Sequence, residues 1–462
     1  MTPFLIRPAC CAGGKLSFPG DKSIAHRAAI LAALSSPKTI IRNFPANEDC
    51  LSTLNAFRRL GVKIVFHPNE KFSGSVTVTV FGKGLFSLSG PRQPVFVGDS
   101  GTTLRLLLGV LAGQDFQVTL NAGKSLSKRP MLRVTAPLRT MGAGIRAKSS
   151  AAGGSAYGGK SQKSKTEEYP PIAISGGELR PIAYKMPVAS AQVKSAILLA
   201  GLYPRGKTSV IESVRSRDHT ERMMKLFKAD VKTKGSVVFI NGGRNLSSPG
   251  EVNIPGDISS AAFFIVLGLV CKHSRLLLQN ICLNPTRSGI IKVLKRMGGN
   301  IRVSGARCQV PGGEPAGNIT VRHSNLKGTR IKKKEIPSLI DELPVLMVAA
   351  CFAKGKSTFE GVKELRVKET DRINSMAENL TRMGADIRIE KAAGSENIII
   401  YGTKGLSGAA VKSFGDHRTA MSMAIAGLAA KGGTLIDDIN CVKKSFPQFF
   451  SVLEKATKPA LR

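Results

Sequence analysis

The sequence predicts an α/β protein of two lobes, each built from three repeat units, with apolar helices inside and sheets outside. Two observations carry that prediction. First, a start of small residues and a polar cap, followed by an Ala- or Leu-rich stretch, occurs six times. The copies begin at Gly20, Gly98, Ala189, Gly256, Asp341 and Gly415, and recurrence at such intervals marks a repeated supersecondary unit. Second, stretches such as Ala261–Cys271 are apolar all round. A helix of that kind must be buried on every side, which leaves the sheets outside.

Taken in order, the elements justify a β-α-β-α-β-β unit. Gly20-Asp-Lys-Ser-Ile-Ala-His-Arg opens the first apolar helix, which runs to Leu34. A second helix stops at Leu60-Gly-Val-Lys-Ile, where glycine is the expected cap, and Ser75–Phe81 alternates as a strand should. Gly98-Asp-Ser-Gly-Thr-Thr-Leu-Arg opens the next apolar helix, and Met141-Gly-Ala-Gly-Ile supplies the next stop. Arg146–Glu168 breaks the pattern. Its Ser-, Gly- and Lys-rich composition reads as a flexible surface loop inside the third unit, disordered and functionally silent. Val188-Ala-Ser-Ala-Gln-Val-Lys-Ser-Ala opens the third apolar helix, and Ser247–Pro255 marks a lobe boundary before Gly256-Asp-Ile-Ser. Stops at Met297-Gly-Gly-Asn-Ile and Met383-Gly-Ala-Asp-Ile, a strand at Asn397–Tyr401 and the starts at Asp341-Glu-Leu-Pro and Gly415-Asp-His-Arg complete the set.

Composition excludes several classes. The chain has 462 residues, and 42% are apolar, enough for sizeable cores. No apolar run reaches the ~20 residues of a membrane span, and the N-terminus lacks a secretory pattern. Only Cys10 and Cys11 of the eight cysteines lie close together, and none has CxxC spacing, which argues against disulfide scaffolds and structural zinc. The cysteines read as buried small apolar groups. The net charge of +37 fits a nucleic-acid binder, an enzyme of acidic substrates or a basic proteome. Aromatics are 5%, tryptophan is absent, and the longest basic run is Lys332–Lys334, so a base-stacking platform is not expected.

A helix N-terminus attracts anions through its free N–H groups. Here those positions also carry Lys22, Ser23, Arg27, Ser190, Gln192 and Arg418. Asp21, Asp257 and Asp416 also serve as ordinary N-caps on the plainest reading, and Asp257 has no basic neighbour to suggest more. The density of Lys, Ser and Arg in Gly20–Arg27 points to a ligand.

With Leu365-Arg-Val-Lys-Glu-Thr-Asp-Arg and Gly415-Asp-His-Arg-Thr-Ala-Met added, these motifs resemble the 5-enolpyruvylshikimate-3-phosphate synthase family from about Phe4 to Phe450. Ser190-Ala-Gln with Arg217-Asp-His-Thr-Glu looks like its glyphosate-tolerant-type branch. The resemblance implies a two-lobed inside-out α/β barrel in which the first strand belongs to the C-terminal lobe. The lobes are then 20–251 (with the insert at about 146–168) and 1–19 plus 252–462.

It also implies transfer of the enolpyruvyl group of phosphoenolpyruvate to the 5-hydroxyl of shikimate 3-phosphate, the sixth step of the shikimate pathway. Phosphate leaves through a tetrahedral intermediate, with no metal or cofactor. Shikimate 3-phosphate falls to Lys22, Ser23, Arg27, Ser190, Ala191, Gln192, Arg217, Asp341 and Lys368. Phosphoenolpyruvate falls to Lys22, Gly101, Arg129, Gln192, Arg372, Arg418 and Lys444. Guanidinium groups suit both by gripping phosphate or carboxylate with paired bonds, and closure of the lobes would assemble the site and expel water. Asp341 and Glu369 form the proton-transfer pair, with Lys22 the rival base for the 5-hydroxyl.

Glu369 and Arg372, three apart, would share a helix face, with a surface ion pair as the alternative. Asp341 also reads as a helix start, with Pro in the first turn. His26 and His417 read as structural hydrogen-bonders. Asp99 stands where relatives usually carry Asn, which would weaken anion binding unless a cation pairs with it. Gly101 reads towards glyphosate sensitivity, and the branch motifs read against it.

Two rivals remain. An enolpyruvyl transferase acting on UDP-N-acetylglucosamine would typically carry a loop cysteine, and Gly113–Pro130 has none. A polyanion-binding scaffold would have lost catalytic residues, and Lys22, Arg129, Glu369, Arg372 and Arg418 are all present. The expectation is a cytoplasmic monomer that binds small molecules, no specific nucleic acid and no membrane.

Overall fold

The apolar stretches are helices, and they are buried as their composition requires. In the computed structural model, which describes residues 3–68, 74–151, 166–308, 313–392 and 395–457, twelve α-helices alternate between two kinds. The odd-numbered ones among the first eleven are the apolar set: α1 (Lys22–Ala33), α3 (Gly101–Leu111), α5 (Ala191–Ala200), α7 (Ile258–Val270), α9 (Leu343–Cys351) and α11 (His417–Ala429). In α7 every residue from Ile258 to Leu269 is buried. The others are amphipathic and bury one face: α2 (Glu48–Arg59), α4 (Leu132–Met141), α6 (His219–Leu226), α8 (Gly289–Arg296), α10 (Arg372–Arg382) and α12 (Phe449–Thr457). Gly61, Gly142, Gly298 and Gly384 follow four of these, with φ of +86°, +115°, +88° and +88°. A side chain is strained there, so the glycines end the helices and start the next strands. Among the described residues no helix is long and apolar enough to cross a membrane.

The sheets repeat one plan. In the third repeat, Ala183–Lys185 runs parallel to Gly206–Ile211, which pairs antiparallel with Val237–Gly242, and Asp230–Lys234 closes the edge. Five of the six repeats order their strands first, second, fourth, third; among the described residues the sixth has three, ordered Ala410–Val411, Thr434–Ile436, Phe4–Ile6. The chain divides into two compact bodies of three repeats each. One is Gly20–Ile254 with a short stretch ending at Glu314; the other takes the chain up to Pro19 and most of it from Pro255 onward. In the first body α3 and α5 meet where a Cβ on Gly109 would stand 2.3 Å from the Ala196 carbonyl oxygen, so glycine is required there. In the second body α7, α9 and α11 share one core.

Strands far apart in sequence complete three of the sheets. Glu251–Asn253 lies parallel to Lys38–Pro45 and supplies the missing first strand of the first repeat. The first body therefore ends after Ile254 rather than at 251. Gly13–Leu16 does the same for the fourth repeat, parallel to Arg275–Cys282, and Phe4–Ile6 pairs with Thr434–Ile436 in the sixth.

The interruption at Arg146–Glu168 is shorter than expected and lies in the second repeat, not the third. Strands Gly144–Ala151 and Thr166–Ser175 pair as far as Ala151 and Thr166, because extended backbone needs only a partner ladder to satisfy its N–H and C=O groups. Residues 152–165 of the expected loop lie outside the described residues.

Candidate active site

Five of the six buried helices open on a side-chain cap: Asp21, Ser100, Ser190, Asp257 and Asp416. At the sixth the expectation changes. The cap position of α9 is Glu342, not Asp341, and its carboxylate turns away from the helix.

In the first body Lys22 Nζ pairs with Asp49 Oδ2 at 2.8 Å, a partner the sequence did not single out. Arg27 is buried and donates from Nε to Thr220 Oγ1 (2.6 Å), from Nη2 to Ser195 Oγ (2.7 Å) and from Nη1 to the Ser23 carbonyl (2.8 Å). Burial draws the Arg27 pKa down to about 10; Glu221 opposes that shift and Arg217 adds to it. It remains a cation at neutral pH, with a second guanidinium close enough to repel it. Two like charges held together this way suit a phosphate.

Beneath them Lys194, fully buried, pairs with Glu212 at 2.9 Å and Glu221 at 2.6 Å. His26 is buried, with Nδ1 2.6 Å from Thr53 Oγ1, which lies 2.7 Å from Thr103 Oγ1. Burial first, then Lys22 and Arg27, hold its pKa well below the usual value, so it is a neutral link between helices.

Gln192, at the start of α5, accepts from Arg105 Nη1 at 2.8 Å and donates to Thr102 Oγ1 at 2.9 Å. Arg105 was not singled out, although its place one turn after Gly101 is a signal. A Cβ on Gly101 would lie 2.8 Å from Arg105 Nη1 and 3.0 Å from Arg129 Nη1, so these two guanidinium groups crowd that glycine. Asp99 is engaged by the backbone. Its Oδ1 accepts from the Ser125 and Leu126 amides, both at 3.0 Å, and so caps the turn leading to Arg129.

In the second body Arg372 is the hub. Nε donates to Asp416 Oδ2 at 2.8 Å, Nη2 to Glu369 Oε2 at 2.5 Å, and Nη1 lies 3.6 Å from Asp341 Oδ1. These carboxylates raise its pKa against the opposing effect of burial. Glu369 is not on the helix: α10 begins at Arg372 behind its cap Asp371. The pair meets because Arg366 grips Asp371 (2.5 Å) and Glu396 (2.6 Å), which frames the bend carrying Lys368 and Glu369. Arg372 is 1% exposed, so the surface ion-pair alternative fails. Burial lowers the Lys368 pKa, and Glu364 and Asp341 oppose it.

Arg418 donates to the Asp341 carbonyl at 2.7 Å and to Ser259 Oγ at 3.2 Å. Ser259 in turn donates to Glu342 Oε1 at 2.5 Å, and Arg287 Nη1 reaches both Glu342 oxygens at 2.8 Å. Arg287 and Glu342 are nearly inaccessible and were not singled out, because no motif spacing joins positions on different helix starts. Lys444 ends the short helix Asn440–Lys444.

The cysteines only partly match expectation: Cys50, Cys271, Cys282, Cys351 and Cys441 are buried, while Cys10 and Cys308 are exposed. Among the described residues no His, Cys, Asp and Glu cluster could hold a metal ion.

Residues 12–453 match the EPSP synthase (3-phosphoshikimate 1-carboxyvinyltransferase) family. The chain is 46% identical over 445 residues to the 3-phosphoshikimate 1-carboxyvinyltransferase of Bacillus thuringiensis (strain Al Hakam), covering 96% of this chain and 97% of that one. It is 46% identical over 454 residues to that of Citrifermentans bemidjiense, covering 98% and 99%. The fold superposes on EPSP synthase from Acinetobacter baumannii with a TM-score of 0.83 at 40% identity, over 98% of both chains. The enolpyruvyl transferase NikO from Streptomyces tendae shares the fold at 18% identity, with a TM-score of 0.72 over 98% of this chain and 97% of that one. The chain therefore belongs to the EPSP synthase family, the transferases that move the enolpyruvyl group of phosphoenolpyruvate onto shikimate 3-phosphate in the shikimate pathway.

Proposed function

We propose that this chain carries out the transfer with Asp341 and Glu369 moving the protons and with the helix starts holding the anions. The observation that carries the reading is how burial sorts the three carboxylates around Arg372. The Asp416 side chain is 0% exposed and caps α11, while Asp341 and Glu369 keep 20% and 26% exposure. Only the latter two are open to a substrate.

Asp341 takes the proton of the 5-hydroxyl as that oxygen bonds to C2 of phosphoenolpyruvate, and Glu369 delivers a proton to C3. The tetrahedral intermediate then expels phosphate, which carries away the proton that Asp341 took, as C3 returns its proton to Glu369, restoring both the double bond and the enzyme. Lys22, ion-paired to Asp49, suits an anion clamp better than a base.

Lys22, Ser23, Arg27, Ser190, Ala191, Gln192, Arg217 and Lys368 hold shikimate 3-phosphate on this reading. Lys22, Gly101, Arg129, Gln192, Arg372, Arg418 and Lys444 hold phosphoenolpyruvate. A core that closes within each body supports a monomer, and the reading places it in the cytoplasm.

The test is phosphate release from phosphoenolpyruvate with shikimate 3-phosphate and, separately, with UDP-N-acetylglucosamine. Release with the first alone is expected; release only with the second, or with neither, overturns the proposal. The crowding at Gly101 yields a further expectation. In Gly101→Ala the new methyl displaces the Arg105 and Arg129 guanidinium groups, so KM for phosphoenolpyruvate rises about tenfold, equivalent to ~1.4 kcal/mol. KM for shikimate 3-phosphate stays within about threefold in the same steady-state assay.

A further inference from the structure

The net charge of +37 exceeds what two small anions need, and one stretch of the chain is basic throughout, with Arg287 and Arg296 in it paired to Glu342 and Glu335 and Arg275 and Arg302 on an outer sheet face. Between Asp257 and Glu314 the chain has eight Lys and Arg residues and no acid. Both flanking acids are withdrawn from solvent: Asp257 caps α7, and Glu314 is 5% exposed against His219.

The fourth-repeat sheet, ordered Asn300–Cys308, Pro315–Arg322, Arg275–Cys282, Gly13–Leu16, buries Leu276, Leu278, Ile319, Val321 and Ile301 on its inner side. Its outer side then presents Arg322 directly opposite Arg275, with Arg302, Thr320, Leu277 and Lys15 aligned in the next row. Lys15, Arg275, Arg302 and Arg322 are all exposed. Among the described residues no carboxylate pairs with any of the four.

Three other sheets do not do this. The outer faces that carry Arg42, Lys232 and Arg388 each carry an acid beside the cation: Glu251, Asp230 and Asp386 respectively. Like charges directly opposite in an antiparallel pair are destabilising. The Arg275–Arg322 pair therefore places its charges where an external anion is the natural relief.

We propose that this outer sheet face docks the phosphate backbone of a nucleic-acid duplex. The neighbouring positions, Asn300, Asn318, Thr320 and Gln279, are hydrogen-bonding side chains of the kind that position phosphates and sugars without reading sequence. No aromatic residue lies among these rows to stack an unpaired base, which favours a duplex, whose bases are already stacked, over a single strand. Half-buried Leu277 is the one large apolar residue in the two rows, too little to insert into a lipid surface. Contact is electrostatic and independent of sequence, with Kd of about 10⁻⁶–10⁻⁴ M at physiological salt.

The probe is a fluorescent 20-base-pair duplex of arbitrary sequence, titrated with the full chain from 50 to 200 mM salt. Four phosphate contacts predict a slope of log K against log salt of about −3 to −4. Arg275→Glu/Arg322→Glu is expected to weaken binding at least tenfold and to flatten that slope by about 2. The control Lys232→Glu/Lys234→Glu carries the same charge change on a face that holds Asp230, and it weakens binding less than threefold.

Arg275→Gln/Arg322→Gln, the milder change, guards against misfolding, and thermal melts and phosphate release monitor it. Equal loss in both double Glu variants would make the effect one of bulk charge and overturn the proposal. So would an unchanged slope in the Arg275/Arg322 variants, or tighter binding to phosphatidylserine vesicles than to the duplex.

Discussion

Glu369→Gln is expected to lower kcat by about 10³-fold, within the range for loss of a positioned acid or base, while KM for phosphoenolpyruvate moves less than about threefold. Glutamine keeps the acceptor oxygen that Arg372 Nη2 reaches at 2.5 Å, so the hub stays assembled and only proton delivery is removed. Glu369→Ala removes both, and its KM should rise as well, because Arg372 loses one of its three carboxylate neighbours. Asp341→Asn belongs to the same test: its side chain approaches Arg372 at 3.6 Å and Arg418 at 4.0 Å. Steady-state kinetics with both substrates varied separate the outcomes. A Glu369→Gln enzyme that loses phosphoenolpyruvate affinity but keeps kcat would make Glu369 a ligand rather than the acid.

Arg287→Met is expected to have the largest effect on stability. It strips from Glu342, whose side chain is 0% exposed, the nearer of two cations and leaves Arg418 at 3.6 Å, and breaking a buried pair typically costs about 3–5 kcal/mol. At about 2–4 °C per kcal/mol for a body of this size, Tm of the second body should fall by roughly 10 °C. The double variant Arg287→Met/Glu342→Leu removes both charges and should recover most of that loss. It should not recover phosphoenolpyruvate binding, because Ser259 then loses the carboxylate that orients it towards Arg418. Thermal melts and KM on the same preparations therefore report two different things. A double variant no more stable than Arg287→Met would show that packing, not charge, holds this corner.

The architecture is legible in the sequence because burial and repetition leave marks along the chain. An all-apolar helix announces its surroundings, and a glycine after a helix announces a turn. The six starts fell where five side-chain caps and Glu342 stand. What escaped was lateral. Asp49, Arg105, Lys194, Arg287 and Glu342 matter through partners on other elements, and one-dimensional spacing cannot pair them. Glu369 and Arg372 illustrate the opposite case. The contact was foreseen from an i to i+3 rule, yet the structure makes it across a bend that ends at the cap Asp371. Asp99 shows that a charge is not defined by its sign alone, since two backbone amides engage it.

The pairing of Phe4–Ile6 with Thr434–Ile436 bears on the order in which the protein is made. The first body is contiguous apart from its short stretch ending at Glu314, so it can begin folding while translation continues. Phe4–Ile6 cannot, because its partner is synthesised near the end. At ~5–20 residues per second, Phe4–Ile6 leaves the ribosome roughly 20–90 s before Thr434–Ile436 exists. During that wait its exposed Phe4 and Leu5 travel as an unpaired strand on a nascent chain, the kind of edge that chaperones exist to cover.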